Sequence, residues 1–137
     1  ATLTKGQARV LREGWEVQLW ALGDMIPAAI ETADILAAKG ISAGVVNGRF
    51  INPIDSDLLG SQARLARVFA TMENGVASGG FGTAVEEYLV EQRYQGHIIR
   101  LGWPREFVPH GATPILLARY GLTPEAMAER VIATLSG

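Results

Sequence analysis

From Gly14 the chain first alternates polar and apolar positions and then becomes almost wholly apolar through Val17, Leu19, Trp20, Ala21 and Leu22. A strand covered on both faces reads this way. Gly23 and Asp24 end it. Asp24 is placed to N-cap the next helix, which has Pro27 in its first turn. Ile26, Ala29, Ile30, Ala33, Leu36 and Ala37 recur at three- and four-residue spacing and make one apolar stripe, closed by Gly40 as C-cap.

The pattern then repeats. A strand over Ile41 to Asn47 leads into "GRFINPID", where Pro53 sets an extended approach and Asp55 can cap a short helix through about Ala63. Arg67 to Met72 predicts a third strand. After the glycine-dense loop "MENGVASGGFG", Val85, Tyr88 and Leu89 mark one face of a helix to about Gln92. Gly96 then precedes a strand over His97 to Gly102. Two tail helices are each entered by Thr-Pro, at Thr113-Pro114 and Thr123-Pro124. Gly121 ends the first, and Met127, Ala128, Val131, Ile132 and Leu135 form the buried face of the second. Residues 7 to 12 predict an edge strand joined to the first central strand by a tight turn at Glu13-Gly14.

Strands alternating with helices at this spacing imply a parallel sheet with helices on both faces, because parallel strands need long crossovers. The fold class is α/β, in one domain over residues 1–137. Ligand crevices in such sheets lie beyond the carboxyl ends of the strands, where successive crossovers change face. Both "ALGD" and "MENGVASGGFG" lie at such ends.

Composition narrows the chemistry. The 137 residues are 48% apolar and 19% charged, and roughly 70% of the unfolded surface of such a chain can be buried without metal or disulfide. The absence of cysteine excludes thiolate nucleophiles, iron–sulfur clusters and zinc knuckles, and fits a reducing compartment, with the cytoplasm as the default. A net charge of −2 with scattered Lys and Arg leaves no footprint for nucleic acid or an anionic membrane. No apolar run approaches the roughly 18 residues of a membrane span, and "ATLTKGQARV" lacks a signal-peptide core. The chain starts without Met, as a processed chain or a piece of a longer one would.

Gly79, Gly80, Phe81 and Gly82 could bring backbone amides to an anion at a helix N-terminus. The spacing fits neither a dinucleotide fingerprint, which would need Gly where Val85 stands, nor a Walker loop. A tight strand-to-helix passage is the simpler reading. Asn74-Gly75 reads as a loop turn, since a helix and not a strand follows. Glu73 at its strand end is a candidate general base with Asp24 as a partner carboxylate; the simpler roles are amide binding for Glu73 and helix capping for Asp24. Arg49 beside Phe50 is the best candidate for an anion clamp, against a structural salt bridge. His110, near Phe107 in "PREFVPHG", faces a ligand, a partner or only its own loop. Neither His97 nor His110 belongs to a metal motif, and the serines form no Gly-x-Ser-x-Gly elbow. No self-sufficient catalytic set emerges.

The order of motifs is itself informative. "VLREGWEVQLWALGDMI", "GRFINPID", "ATMENGVASGGFGTAVEEYL", "LGWPREFVPHG" and "ARYGLTPEAMAERV" resemble, in sequence and spacing, the C-terminal domain of the 1-deoxy-D-xylulose-5-phosphate synthases, thiamine-diphosphate enzymes of the transketolase superfamily. The Arg-Phe-x-x-Pro-x-Asp pattern at Arg49, Phe50, Pro53 and Asp55 is shared across the superfamily. Glu73-Asn74 before Gly79-Gly80-Phe81-Gly82, then Leu-Gly-x-Pro at residues 101–104 and Phe107 with Gly111, resembles the synthase branch.

The resemblance implies a three-layer α/β/α domain with a five-stranded mixed sheet, mostly parallel, whose first strand is antiparallel at an edge. It implies that thiamine diphosphate and Mg²⁺ are held by other domains of the parent enzyme, which condenses pyruvate with glyceraldehyde 3-phosphate in isoprenoid precursor synthesis. No cofactor, metal site or catalytic residue is expected in this chain, which is predicted inactive alone. Its expected partners are the cofactor-binding and pyrimidine-type domains of a homodimeric parent. Two alternatives are a separately encoded subunit acting as a docking module, and a small-anion or nucleotide regulatory site at residues 79–83.

Overall fold

The computed structural model describes residues 7–49, 54–74, 80–103 and 122–137. Five strands form one sheet: β1 (Arg9–Arg12), β2 (Val17–Ala21), β3 (Ala43–Asn47), β4 (Val68–Asn74) and β5 (His97–Trp103), in the order β1-β3-β2-β4-β5. β1 runs antiparallel to β3; every other pair is parallel. The helices are α1 (Ile26–Ala38), α2 (Ser56–Ala63), α3 (Phe81–Glu91) and α4 (Pro124–Ser136). The expected sheet, including its antiparallel edge strand, is therefore present. The helix expected after Thr113-Pro114 lies outside the described residues.

Strand alternation sorts the core into two layers. Val17, Leu19, Ala21, Val45, Ala70 and Met72 pack with Ala29, Ala33 and Leu36 of α1 and with Met127, Ala128 and Val131 of α4. Trp20, Val46 and Phe69 pack on the other face with Leu59 of α2 and Phe81, Val85 and Leu89 of α3. Trp20 is fully buried, and its indole nitrogen donates to Gln62 Oε1 at 2.7 Å, so its one polar atom is satisfied. β2 is buried at every residue, as its unbroken apolar run requires.

Two expectations are corrected. The turn at Glu13-Gly14 does not set β1 beside β2, because β3 lies between them. The chain instead passes over the start of β3, where Gly14 approaches so closely that a Cβ would stand 2.3 Å from Ala43 C and Gly44 N. Gln18 Nε2 donates to Gly14 O at 2.7 Å and ties the crossing to the sheet. Asp24 does not cap α1. Gly23 leaves β2 at φ 45°, a single 3-10 turn over Gly23–Met25 follows, and Met25 takes the cap position without a side-chain hydrogen bond.

Other termini match the punctuation. Asp55 caps α2 by accepting from Leu58 N at 3.1 Å, and Thr123 caps α4 by accepting from Ala126 N at 3.1 Å. Lys39 is the C-cap of α1. Gly40 follows it at φ 80°, with Gly40 N bonded to Ala37 O and Ile41 N to Leu36 O, the paired bonds of a Schellman turn.

Tyr94 packs edge-on against Phe69, ring centroids 5.2 Å apart, and donates to Ala66 O at 2.7 Å. Burial pushes its phenol up from 10.0 to about 12. The fold therefore favours the neutral phenol. Its contribution is complete below pH 10 and is lost as pH rises through 10 towards 12. Tyr94→Phe is expected to lower stability at neutral pH by about 1 kcal/mol through the lost hydrogen bond. It should also flatten the alkaline loss, which urea midpoints at neutral and strongly alkaline pH will show.

Candidate functional site at the carboxyl edge of the sheet

The strand order reverses between β2 and β4: α1 leaves over one face, whereas α2 and α3 lie on the other. The carboxyl ends of these two strands therefore bound the crevice that a parallel sheet reserves for ligands or partners. The backbone is knitted there: Leu22 N donates to Met72 O and Gly48 N to Ala21 O, each at 3.0 Å.

Arg49 follows β3 with φ 44°, a left-handed conformation that costs a residue with a Cβ about 1 kcal/mol. Its amide donates to Asn47 Oδ1 at 3.1 Å, and that bond holds the turn. Among the described residues its guanidinium has no ion pair, so the salt bridge weighed as the alternative does not form within them.

Glu73 is the penultimate residue of β4. Met72 faces α1, so alternation turns Glu73 towards α3, where both carboxylate oxygens lie 3.4 Å from Gly82 N. Gly80 is the N-cap of α3 and has no side chain to cap with. Glu73 does that work from the neighbouring strand, and its charge opposes the positive end of the helix. This is the amide-binding role. Asp24, by contrast, lies exposed in the turn that leads to α1.

Gly82 and Phe81 are structural partners of these groups. A Cβ on Gly82 would stand 3.1 Å from Thr71 Oγ1, 3.3 Å from Arg100 Nε and 3.4 Å from Glu73 Oε1, so the helix start is pressed onto β4 and β5. The Phe81 ring covers Gly48, where a Cβ would meet ring carbons at 2.4 Å. "GRF" and "GGF" thus touch through a glycine and a ring. Asn74 ends β4 opposite Trp103. Gly79, Phe107 and His110 lie outside the described residues.

Sequence reading missed Gly48, Thr71 and Arg100 as parts of this edge. Arg100 Nη2 donates to Thr83 Oγ1 at 3.0 Å, its Nε lies 3.8 Å from Glu86 Oε2, and its carbonyl accepts from Arg130 Nη1 at 2.8 Å. The signal was an arginine inside the apolar run "IIRLG", which marks an edge strand. Among the described residues no three acidic or histidine side chains gather as metal ligands, and no helix is long and apolar enough to cross a membrane.

A three-layer mixed sheet whose carboxyl edge holds a left-handed arginine and a carboxylate bound into a helix start defines an α/β domain. The family is identified by comparison. Residues 6–127 match the model of the transketolase C-terminal domain, and the chain belongs to that family. It is 44% identical over 130 residues to the 1-deoxy-D-xylulose-5-phosphate synthase of Desulforudis audaxviator, covering 94% of this chain and 20% of the relative. It is 41% identical over 138 residues to 1-deoxy-D-xylulose-5-phosphate synthase 1 of Geobacter metallireducens, covering 100% of this chain and 22% of the relative. The chain thus spans about a fifth of such relatives. Among solved structures, a split-gene transketolase in an inactive β4 tetramer superposes with TM-score 0.81 at 37% identity, over 99% of this chain and 44% of that one. A Pichia stipitis transketolase shares the fold at TM-score 0.63 and 20% identity, covering 96% of this chain and 18% of that one.

Proposed function

We propose that this chain is the C-terminal assembly domain of a thiamine-diphosphate-dependent synthase of the 1-deoxy-D-xylulose-5-phosphate type, cytoplasmic and dimeric as a whole enzyme. The observation that carries the reading is similarity over nearly all of this chain to one fifth of such synthases. The carboxyl edge supports it: Glu73 is engaged in tethering α3, while Arg49 is held ready at its rim. In this reading thiamine diphosphate and Mg²⁺ belong to the other domains of the parent enzyme. When bound elsewhere in the parent, the cofactor supplies the carbanion chemistry.

The chain also enters from the side of that edge. β1 is antiparallel to β3, so Arg9 lies beside Asn47, and Ala8 N donates to Asp55 Oδ2 at 2.7 Å. The expected result is no CO₂ release from pyruvate and glyceraldehyde 3-phosphate by the pure chain with thiamine diphosphate and Mg²⁺. Activity should return when the chain replaces the corresponding domain of a synthase relative. Turnover by the chain alone would sink the reading. Similarity to a split-gene chain favours a second one, a docking subunit of a divided enzyme, which a single coding sequence running upstream into cofactor-binding domains would exclude.

A further inference from the structure

At the amino end of the sheet, remote from the carboxyl edge, the last turns of α2 and α3 flank an open surface groove of about 430 Å³, on which Arg64 and Arg93 are exposed. Arg64, Gln92, Arg93, Tyr94 and Gln95 bound it, and no Asp or Glu is among its described lining residues. In a chain of net charge −2, two arginines on one groove without a carboxylate are a local excess of positive charge. Among the described residues neither guanidinium has an ion pair or a hydrogen-bond acceptor.

Hydrogen bonds to the helix ends do not account for them, although both arginines stand where the negative ends of α2 and α3 favour a cation. The last carbonyls of α3 are already taken, since Arg93 N bonds Val90 O at 3.0 Å and Tyr94 N bonds Leu89 O at 2.9 Å. At α2, Leu65 N and Ala66 N both bond Gln62 O. Arg93 occupies the left-handed position of its Schellman turn at φ 58°, where glycine would sit without strain. Strain of this kind gathers at functional positions. Here the strained residue is also the one that supplies charge.

We propose that this groove binds a small phosphorylated molecule bearing at least two negative charges, with Arg64 and Arg93 as its phosphate clamp and the Gln92 amide beside them. Guanidinium forks match phosphate oxygens in pairs, and the volume lies in the range of small-ligand sites. The groove lies at the opposite end of the strands from the carboxyl edge.

Inorganic pyrophosphate titrated at low salt is the probe, read by amide shifts of residues 92–96. The expected result is a saturable shift, weakened at least tenfold by Arg64→Gln and by Arg93→Gly. Arg93→Gly separates binding from folding, because relief of the left-handed strain should raise its melting temperature by about 2–4 °C while binding falls. No saturation at 10 mM pyrophosphate, or equal affinity in the double variant, would overturn the proposal.

Discussion

Gly14→Ala is expected to destabilise the domain by about 3 kcal/mol or more, read as a lower urea midpoint with an unchanged slope. The new Cβ would meet Ala43 C and Gly44 N at 2.3 Å and Ala43 O at 2.7 Å, all backbone atoms where β3 begins. A flexible side chain could move aside; a hydrogen-bonded strand cannot without shifting its pairing with β1 or β2. Gly44→Ala makes the contrast. Its tightest neighbour is Gln18 Oε1 at 2.5 Å, the end of a side chain, with Arg12 O and Gly14 N at 3.1 Å. It should cost less than Gly14→Ala. Equal stability of Gly14→Ala and the parent would mean that the chain does not cross β3 in this way.

The second large effect is expected where the two family motifs touch. Gly48→Ala brings a methyl group to 2.4 Å from Phe81 Cε1 and Cζ, and Phe81 is only 3% exposed, so the ring has little room to move. A cost of about 1–3 kcal/mol follows from overpacking. Phe81→Leu removes the obstructing ring atoms and should partly rescue Gly48→Ala, with a coupling of about 1 kcal/mol in a double-mutant cycle. Strict additivity would show that the two residues do not share this contact. Phe81 is also the first residue of α3, so displacing it disturbs the Gly82 amide held by Glu73. Hydrogen exchange in the first turn of α3 should quicken in Gly48→Ala before exchange in β2 changes.

Much of the fold was legible because its signals are local. The apolar run of β2, the three- and four-residue stripe of α1, and the caps Asp55 and Thr123 each depend on neighbours a few residues away. Asp24 shows the limit of such reasoning. It has the right residue type at nearly the right place, but the left-handed Gly23 inserts a turn and moves the cap to Met25. A backbone torsion decided it, and side-chain chemistry alone could not reveal that torsion.

The candidate site divides similarly. Glu73 and the glycines around it were visible as a strand end entering a helix, and their role as an amide tether was among the readings the pattern allowed. That Gly48 exists for Phe81, Gly14 for Ala43, and Thr71 and Arg100 for the start of α3 depends on contacts between segments distant in the chain. Periodicity carries no information about them.

By itself the sequence determined the alternation of strands and helices, the parallel core of the sheet, the lack of thiol chemistry and the family motifs, since composition and short-range pattern suffice for these. Only the tertiary structure decided that β3 separates β1 from β2, that Arg49 and Arg93 sit in left-handed backbone, and that Arg64 and Arg93 share one groove. Those outcomes follow from how layers pack and chains cross, where close approach between remote residues selects among conformations that are locally almost equal in energy.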